Sequence, residues 1–196
     1  MDTPSTNTTR DQLLDYAQKL IRTRGCNGFS YRDLADHVGV KTSSVHYYFP
    51  CKDDLLYEAV ENYTGSALET LRGISPTLPA KERLDAYIAM VESHSCQADQ
   101  LCLGGMLAAE LNTLPERVRA ALQAFFTVEE NWLAKVLADG AREGTLRYAS
   151  TPEKAARALF ATVQGCLLGA RLFQRPPDLR EALGALYVQC GASPAH

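Results

Sequence analysis

Six cysteines, Cys26, Cys51, Cys96, Cys102, Cys166 and Cys190, are the side chains of this 196-residue chain best suited to covalent chemistry. They are scattered, with no Cys-x-x-Cys pair and no histidine at finger spacing, so neither a metal site nor a cofactor is expected. In a reducing compartment they stand as thiols. Cys102 has the neighbours that favour reactivity. It opens the run Cys102-Leu103-Gly104-Gly105-Met106, where a helix N-terminus favours the thiolate and the glycines leave the sulfur accessible. Cys96, six residues earlier, is placed to resolve an oxidised Cys102 as a disulfide. A small buried hydrophobe at a tight turn is the other reading of Cys102. Cys51 stands beside Lys52 at a helix start, where a cysteine more often replaces a serine cap. Cys26, Cys166 and Cys190 read as packing residues.

A second group does its chemistry through hydrogen bonds. Lys41, Thr42, Ser43 and Ser44 open a short helix, and the N-terminal end of a recognition helix is what reaches base edges. Ser and Thr serve several bases or phosphates without dictating a sequence. His46 and Tyr47 can donate to phosphates. Lys52 lies at the next helix start, where a cation and backbone N–H groups clamp a phosphate. Arg32, on the preceding helix, completes the set of expected DNA contacts.

The elements that must position these residues read as helices throughout. Leu13, Leu14, Ala17, Leu20 and Ile21 fall at helical spacing and predict a helix from about Thr9 to Arg24. Gly25 and Asn27-Gly28 stop it. Ser30 caps a second helix with Asp33 three residues on, Gly39 makes a sharp turn, and Thr42 caps a third through about Tyr48. Phe49-Pro50 breaks that one, and a long fourth helix starts near Lys52. Gly73 to Pro79 reads as a hinge. Further helices follow: one near Pro79, a short apolar run Met106–Leu111, and a long helix opened by a Thr113/Glu116 capping box. Thr151-Pro152 opens the next, and a last helix runs to Gly191. No strand run is expected.

The order Gly28-Phe29-Ser30-x-x-Asp-Leu-Ala-x-x-Val-Gly-Val, then Ser44-Val45-His46-Tyr47-Tyr48-Phe49-Pro50-x-Lys52-x-x-Leu55-Leu56, resembles the N-terminal signature of the tetracycline-repressor (TetR/AcrR) family. The resemblance implies an all-α fold: an N-terminal three-helix DNA-binding lobe followed by a helical ligand-binding and dimerisation body, about nine helices in all. It divides the chain into residues 1–51, tail and helix-turn-helix domain, and residues 52–196, regulatory domain. Tyr47 matches the family's phosphate-contacting tyrosine. His46-Tyr47-Tyr48 replaces the more usual Tyr-Tyr-His, and Cys51 stands where a Ser or Asn cap is common. The run from Cys102 to Leu111 resembles the NemR/AcuR-like branch, in which a cysteine here is linked to sensing.

In the body, Tyr87, Met106, Glu110, Phe125 and Trp132 are candidates for lining a ligand pocket, although aromatics at helical spacing also serve as core. Ala158, Thr162, Gly165 and Gly169 form a small-residue stripe on a late helix. With Leu183 and Tyr187 they are the expected dimer interface, and a close crossing within one chain would use the same stripe.

Composition sets outer limits. The net charge is −3, and residues 1–57 carry seven basic and seven acidic side chains, so the DNA reading rests on geometry and not on charge. No apolar run approaches the roughly 18 residues of a membrane span, and residues 1–10 lack a signal-peptide core; a cytoplasmic location without membrane partners is expected. The sequence thus predicts a non-enzymatic, dimeric repressor of double-stranded operator DNA. A small-molecule inducer or modification of Cys102 would release it. A helical enzyme with an activated cysteine and a protein-binding adaptor remain as other readings.

Overall fold

The computed structural model describes residues 8–95 and 100–189. Within them the chain forms nine α-helices: α1 (Thr9–Arg24), α2 (Tyr31–Val38), α3 (Thr42–Tyr48), α4 (Lys52–Gly73), α5 (Ala80–Ser95), α6 (Leu103–Ala109), α7 (Glu116–Glu143), α8 (Pro152–Leu172) and α9 (Leu179–Gly184). A 3-10 turn, Leu111–Thr113, joins α6 to α7. Two compact units result: Met1–Gly65 with Cys102–Gln123, and Ser66–Leu101 with Ala124–His196. The changeover falls inside α4 and α7, and not in the 73–79 segment, because both helices run unbroken through it. Residues 102–123 belong with the N-terminal helices.

In the first unit α1 begins at a capping box between Thr8 and Asp11, and Ser30 and Asp33 form another at α2. Each box satisfies backbone donors that a helix start leaves open. Gly25 and Gly39 both have φ of 78°, a region in which an L side chain is strained. α3 starts one residue earlier than Thr42 as a cap would imply: Lys41 is the N-cap and makes no side-chain bond there. Leu13, Ala17, Ile21, Leu34, Val45, Phe49 and Leu55 are fully or almost fully buried. The Tyr31 hydroxyl donates to the Phe49 carbonyl at 2.9 Å, fixing the start of α2 against the end of α3. α1 is tied to α4 by the Arg10–Glu58 ion pair and by Gln18, whose amide donates to the Ala59 carbonyl at 3.2 Å.

Thr113 does not cap α7. Its hydroxyl donates backwards to the Glu110 carbonyl at 2.9 Å, and Pro115 supplies the carbonyl that receives the Arg119 N–H at 3.0 Å. In the second unit, Glu143 at the end of α7 accepts the Ala80 N–H at 2.9 Å, capping α5. Arg83, only 6% exposed, pairs with Asp139 at 2.8 Å. Thr151 caps α8 with Pro152 in its first turn, as the sequence predicts. The C-terminal segment differs from expectation. α9 has six residues, and the chain then pairs as a short antiparallel bridge, Leu146 with Gln189 and Arg147 with Val188.

Candidate functional site

The residues expected to contact DNA are laid out along one stretch of the first unit. Lys41, Thr42, Ser43, His46 and Tyr47 are exposed, Tyr47 to 81%, while Ser44 is half-buried. Val45 faces the core completely, so α3 is seated by one apolar side chain and presents the rest outward. The His46 ring packs against Tyr31 with centroids 4.7 Å apart, and the Tyr47 ring meets Tyr48 edge-on at 5.2 Å. These contacts hold two polar rings without covering their polar atoms. Arg32 is exposed on α2, with Asp36 one turn on at 3.8 Å.

Lys52 is half-buried at the start of α4. Its ammonium donates to the Phe29 carbonyl at 2.6 Å and lies 4.2 Å from the centre of the Phe29 ring. Burial lowers its pKa, opposed by Cys26, Glu110 and Asp33. Cys51, just before α4, donates its S–H and its N–H to the Asp54 carboxylate, at 3.0 and 3.3 Å.

Cys102 is the N-cap of α6 and is half-buried. The Tyr63 hydroxyl is directed at its sulfur from 3.9 Å. Cys96 lies outside the described residues. Cys26 is 3% exposed, and burial, followed by the nearby Glu110 carboxylate, pushes its thiol up to about 11. Iodoacetamide at pH 8 is therefore expected to label the exposed Cys51 and spare Cys26, read by peptide mass spectrometry. Equal labelling of the two would contradict the burial of Cys26.

The pocket candidates separate. In the second unit Tyr87 is 2% exposed and stacks on Trp132, with centroids 5.5 Å apart. Phe125 joins Phe126 and Phe160 in an edge-to-face cluster. Met106 and Glu110 belong to the first unit. Glu110 directs its carboxylate at the α1–α2 loop, accepting the Cys26 N–H at 2.5 Å and the Asn27 amide at 3.2 Å. Burial opposes its ionisation, but these hydrogen bonds outweigh that and hold its pKa below the ordinary value. Sequence reasoning missed Glu129, a carboxyl 6% exposed that burial pushes up to about 7, against a hydrogen bond from Tyr87. The available signal was an acid sitting one turn from Phe125 and one turn from Leu133, on the apolar stripe of α7.

On α8, Ala158, Ala161, Gly165, Leu168 and Leu172 are exposed along one stripe, with Thr162 and Gly169 half-exposed beside them. A Cβ added at Gly165 or Gly169 would meet nothing within 4 Å. Neither glycine is therefore required by a crossing within the described chain. Leu183 and Tyr187 are 1% and 5% exposed, so they pack inside the subunit; Leu186, at 37%, is the exposed apolar side chain of that segment.

Residues 13–59 match the model of bacterial regulatory proteins of the tetR family. Residues 80–186 match the tetracyclin repressor-like C-terminal domain. A TetR-family transcriptional regulator from Agrobacterium tumefaciens has a crystal structure similar to this one. The two are 33% identical with a TM-score of 0.82, over 91% of this chain and 93% of that one. Reduced NemR of E. coli shares the fold, with 23% identity and a TM-score of 0.81 over 94% of this chain and 99% of that one. The transcriptional regulator AcuR of Cereibacter sphaeroides is 24% identical over 90% of this chain and 82% of its own length. Three other curated regulators are matched over 65%, 58% and 50% of their own length, so this chain spans between half and two thirds of each. Among the described residues no helix is long and apolar enough to cross a membrane. The matched models cover both the helix-turn-helix segment and more than half of the chain beyond it: the chain belongs to the TetR family of transcriptional regulators, and not to an enzyme family.

Proposed function

We propose that this chain is a homodimeric repressor of the cytoplasm that holds a pseudo-palindromic operator with α3 of each subunit. The observation that carries the reading is the outward face of α3. Lys41, Thr42, Ser43, His46 and Tyr47 are exposed side by side on a helix anchored by Val45. Ser44 and Arg32 flank them. All are donors suited to phosphate oxygens and base edges, and they match the geometry in which a second helix enters the major groove. Lys52, held at the Phe29 carbonyl, joins them with the remaining N–H donors of its ammonium.

The exposed stripe of α8 supports the dimer, since small residues without an internal neighbour leave room for a second helix to approach. Release from DNA requires a signal that favours the non-binding state over the binding one. Two sites support such a signal. One is the Tyr87–Trp132 stack with the buried acid Glu129, which offers a small molecule aromatic walls and one polar anchor; Phe125, one turn from Glu129, and Met106 on α6 stand as further candidates. The other is Cys102, at the start of α6 and half-exposed, where an electrophile or oxidant can reach the sulfur, with Cys96 as its resolving partner.

Tyr47→Ala is expected to weaken binding to a selected duplex about 10-fold, the value of one hydrogen bond to a charged group. Binding of the wild type should fall linearly in log–log form with salt, as phosphate contacts require. A mobility shift at two salt concentrations checks both. Unchanged binding by Tyr47→Ala would remove the α3 face from the site.

A further inference from the structure

We propose that Glu110 is a positioning residue for DNA binding, latching the α1–α2 loop so that α2 and α3 are presented in their reading arrangement. The inference rests on the repressor reading above.

Cys26 is buried immediately after α1 ends, and its N–H has no helical acceptor. A buried donor of this kind needs a partner, and the Glu110 carboxylate supplies it at 2.5 Å from 84 residues away. The bond is charge-assisted and so stronger than a neutral one. The second carboxylate oxygen accepts from the Asn27 amide at 3.2 Å. Thr113 doubles the link: its hydroxyl oxygen accepts from the same Asn27 amide at 3.2 Å and donates to the Glu110 carbonyl.

The position of the loop is fixed sterically as well. A Cβ on Gly25 would lie 2.8 Å from both Glu110 oxygens, so the carboxylate fills the space that glycine leaves. From this point the chain runs directly into the reading helices. Phe29 gives its carbonyl to Lys52, Ser30 caps α2, and Tyr31 bonds the Phe49 carbonyl at the end of α3. Glu110 thus holds the first link of a continuous series of contacts that ends at α3. None of them touches the outward face of that helix.

The test uses a duplex enriched on the wild-type protein from a random pool, with a random duplex as reference, at a temperature where circular dichroism shows every variant folded. Glu110→Ala and Asn27→Ala are each expected to weaken binding of the enriched duplex about 10-fold, with random-duplex binding unchanged. The double variant should lose no more than the worse single one, because both residues act in one latch. Amide exchange at Cys26 should rise in Glu110→Ala. A purely structural role would leave specific binding of the folded variants intact. Glu110→Ala binding like the wild type, or losses that multiply in the double variant, would overturn the latch. If Glu110→Ala does not fold, Glu110→Gln decides: partial loss of specific binding supports the latch, and wild-type binding overturns it. A wild-type protein that enriches no sequence overturns the repressor reading and the latch together.

Discussion

Between pH 5 and pH 8 the wild-type chain is expected to lose about 2–3 kcal/mol of stability that Glu129→Gln retains. Phe125, Glu129, Leu133, Val136 and Leu137 are all buried on α7, so the acid sits in an apolar stripe. Burial disfavours its charged form and raises its pKa from 4.5 to about 7; the Tyr87 hydroxyl pulls weakly the other way. The native state therefore binds a proton that the unfolded state gives up between these two values. The contribution is fully present below pH 4.5 and is lost as the pH rises through about 7. Glutamine carries no charge at any of these pH values. It has its own cost in an apolar site, so the informative quantity is the difference in slope and not the absolute stability. Urea unfolding of both proteins at pH 5 and pH 8 reads it directly. Parallel pH dependences would show that Glu129 is not held neutral.

Leu168→Glu is expected to convert the protein to a monomer and to reduce affinity for a selected duplex by at least about 100-fold, because one half-site is then bound without the avidity of two. Leu168 and Leu172, one turn apart on α8, are 57% and 75% exposed, large apolar side chains open on a single face. They continue the line of Ala158, Ala161 and Gly165. A carboxylate introduced at its centre would face its own copy across a two-fold axis, desolvated and repelled. Nothing inside the subunit depends on the outward side of this stripe, so the monomer should remain folded. Sedimentation velocity together with circular dichroism separates assembly from folding. A variant that stays dimeric at wild-type concentrations would move the interface elsewhere.

The parts of the fold that were legible in the sequence are those set by neighbours a few residues apart. Ser30 with Asp33, Gly25 and Gly39 at positive φ, and Thr151-Pro152 all announce boundaries through local chemistry. The family signature from Gly28 to Leu56 added the order of the reading helices. What stayed hidden depends on residues far apart in the chain. Glu110 reads as a pocket acid because its run is apolar, and only the fold brings it to Cys26. Lys52 stands at a helix start, and only the fold brings the Phe29 carbonyl to its ammonium. Leu183 and Tyr187 have the spacing of an interface, yet the short α9 and the bridge to Leu146–Arg147 turn them into the subunit core. Glu129 carries no local mark beyond its place in an apolar stripe, and its raised pKa exists only once the fold buries it.

Selection from a random duplex pool tests whether the outward face of α3 reads DNA. The protein is predicted to enrich a pseudo-palindrome whose half-sites are spaced for two recognition helices in successive major grooves, about one helical turn or a multiple of it apart. Tyr47→Ala should bind the enriched sequence about 10-fold more weakly. A pool that remains random after several rounds at moderate salt, with the protein folded and dimeric, would show that α3 does not read DNA.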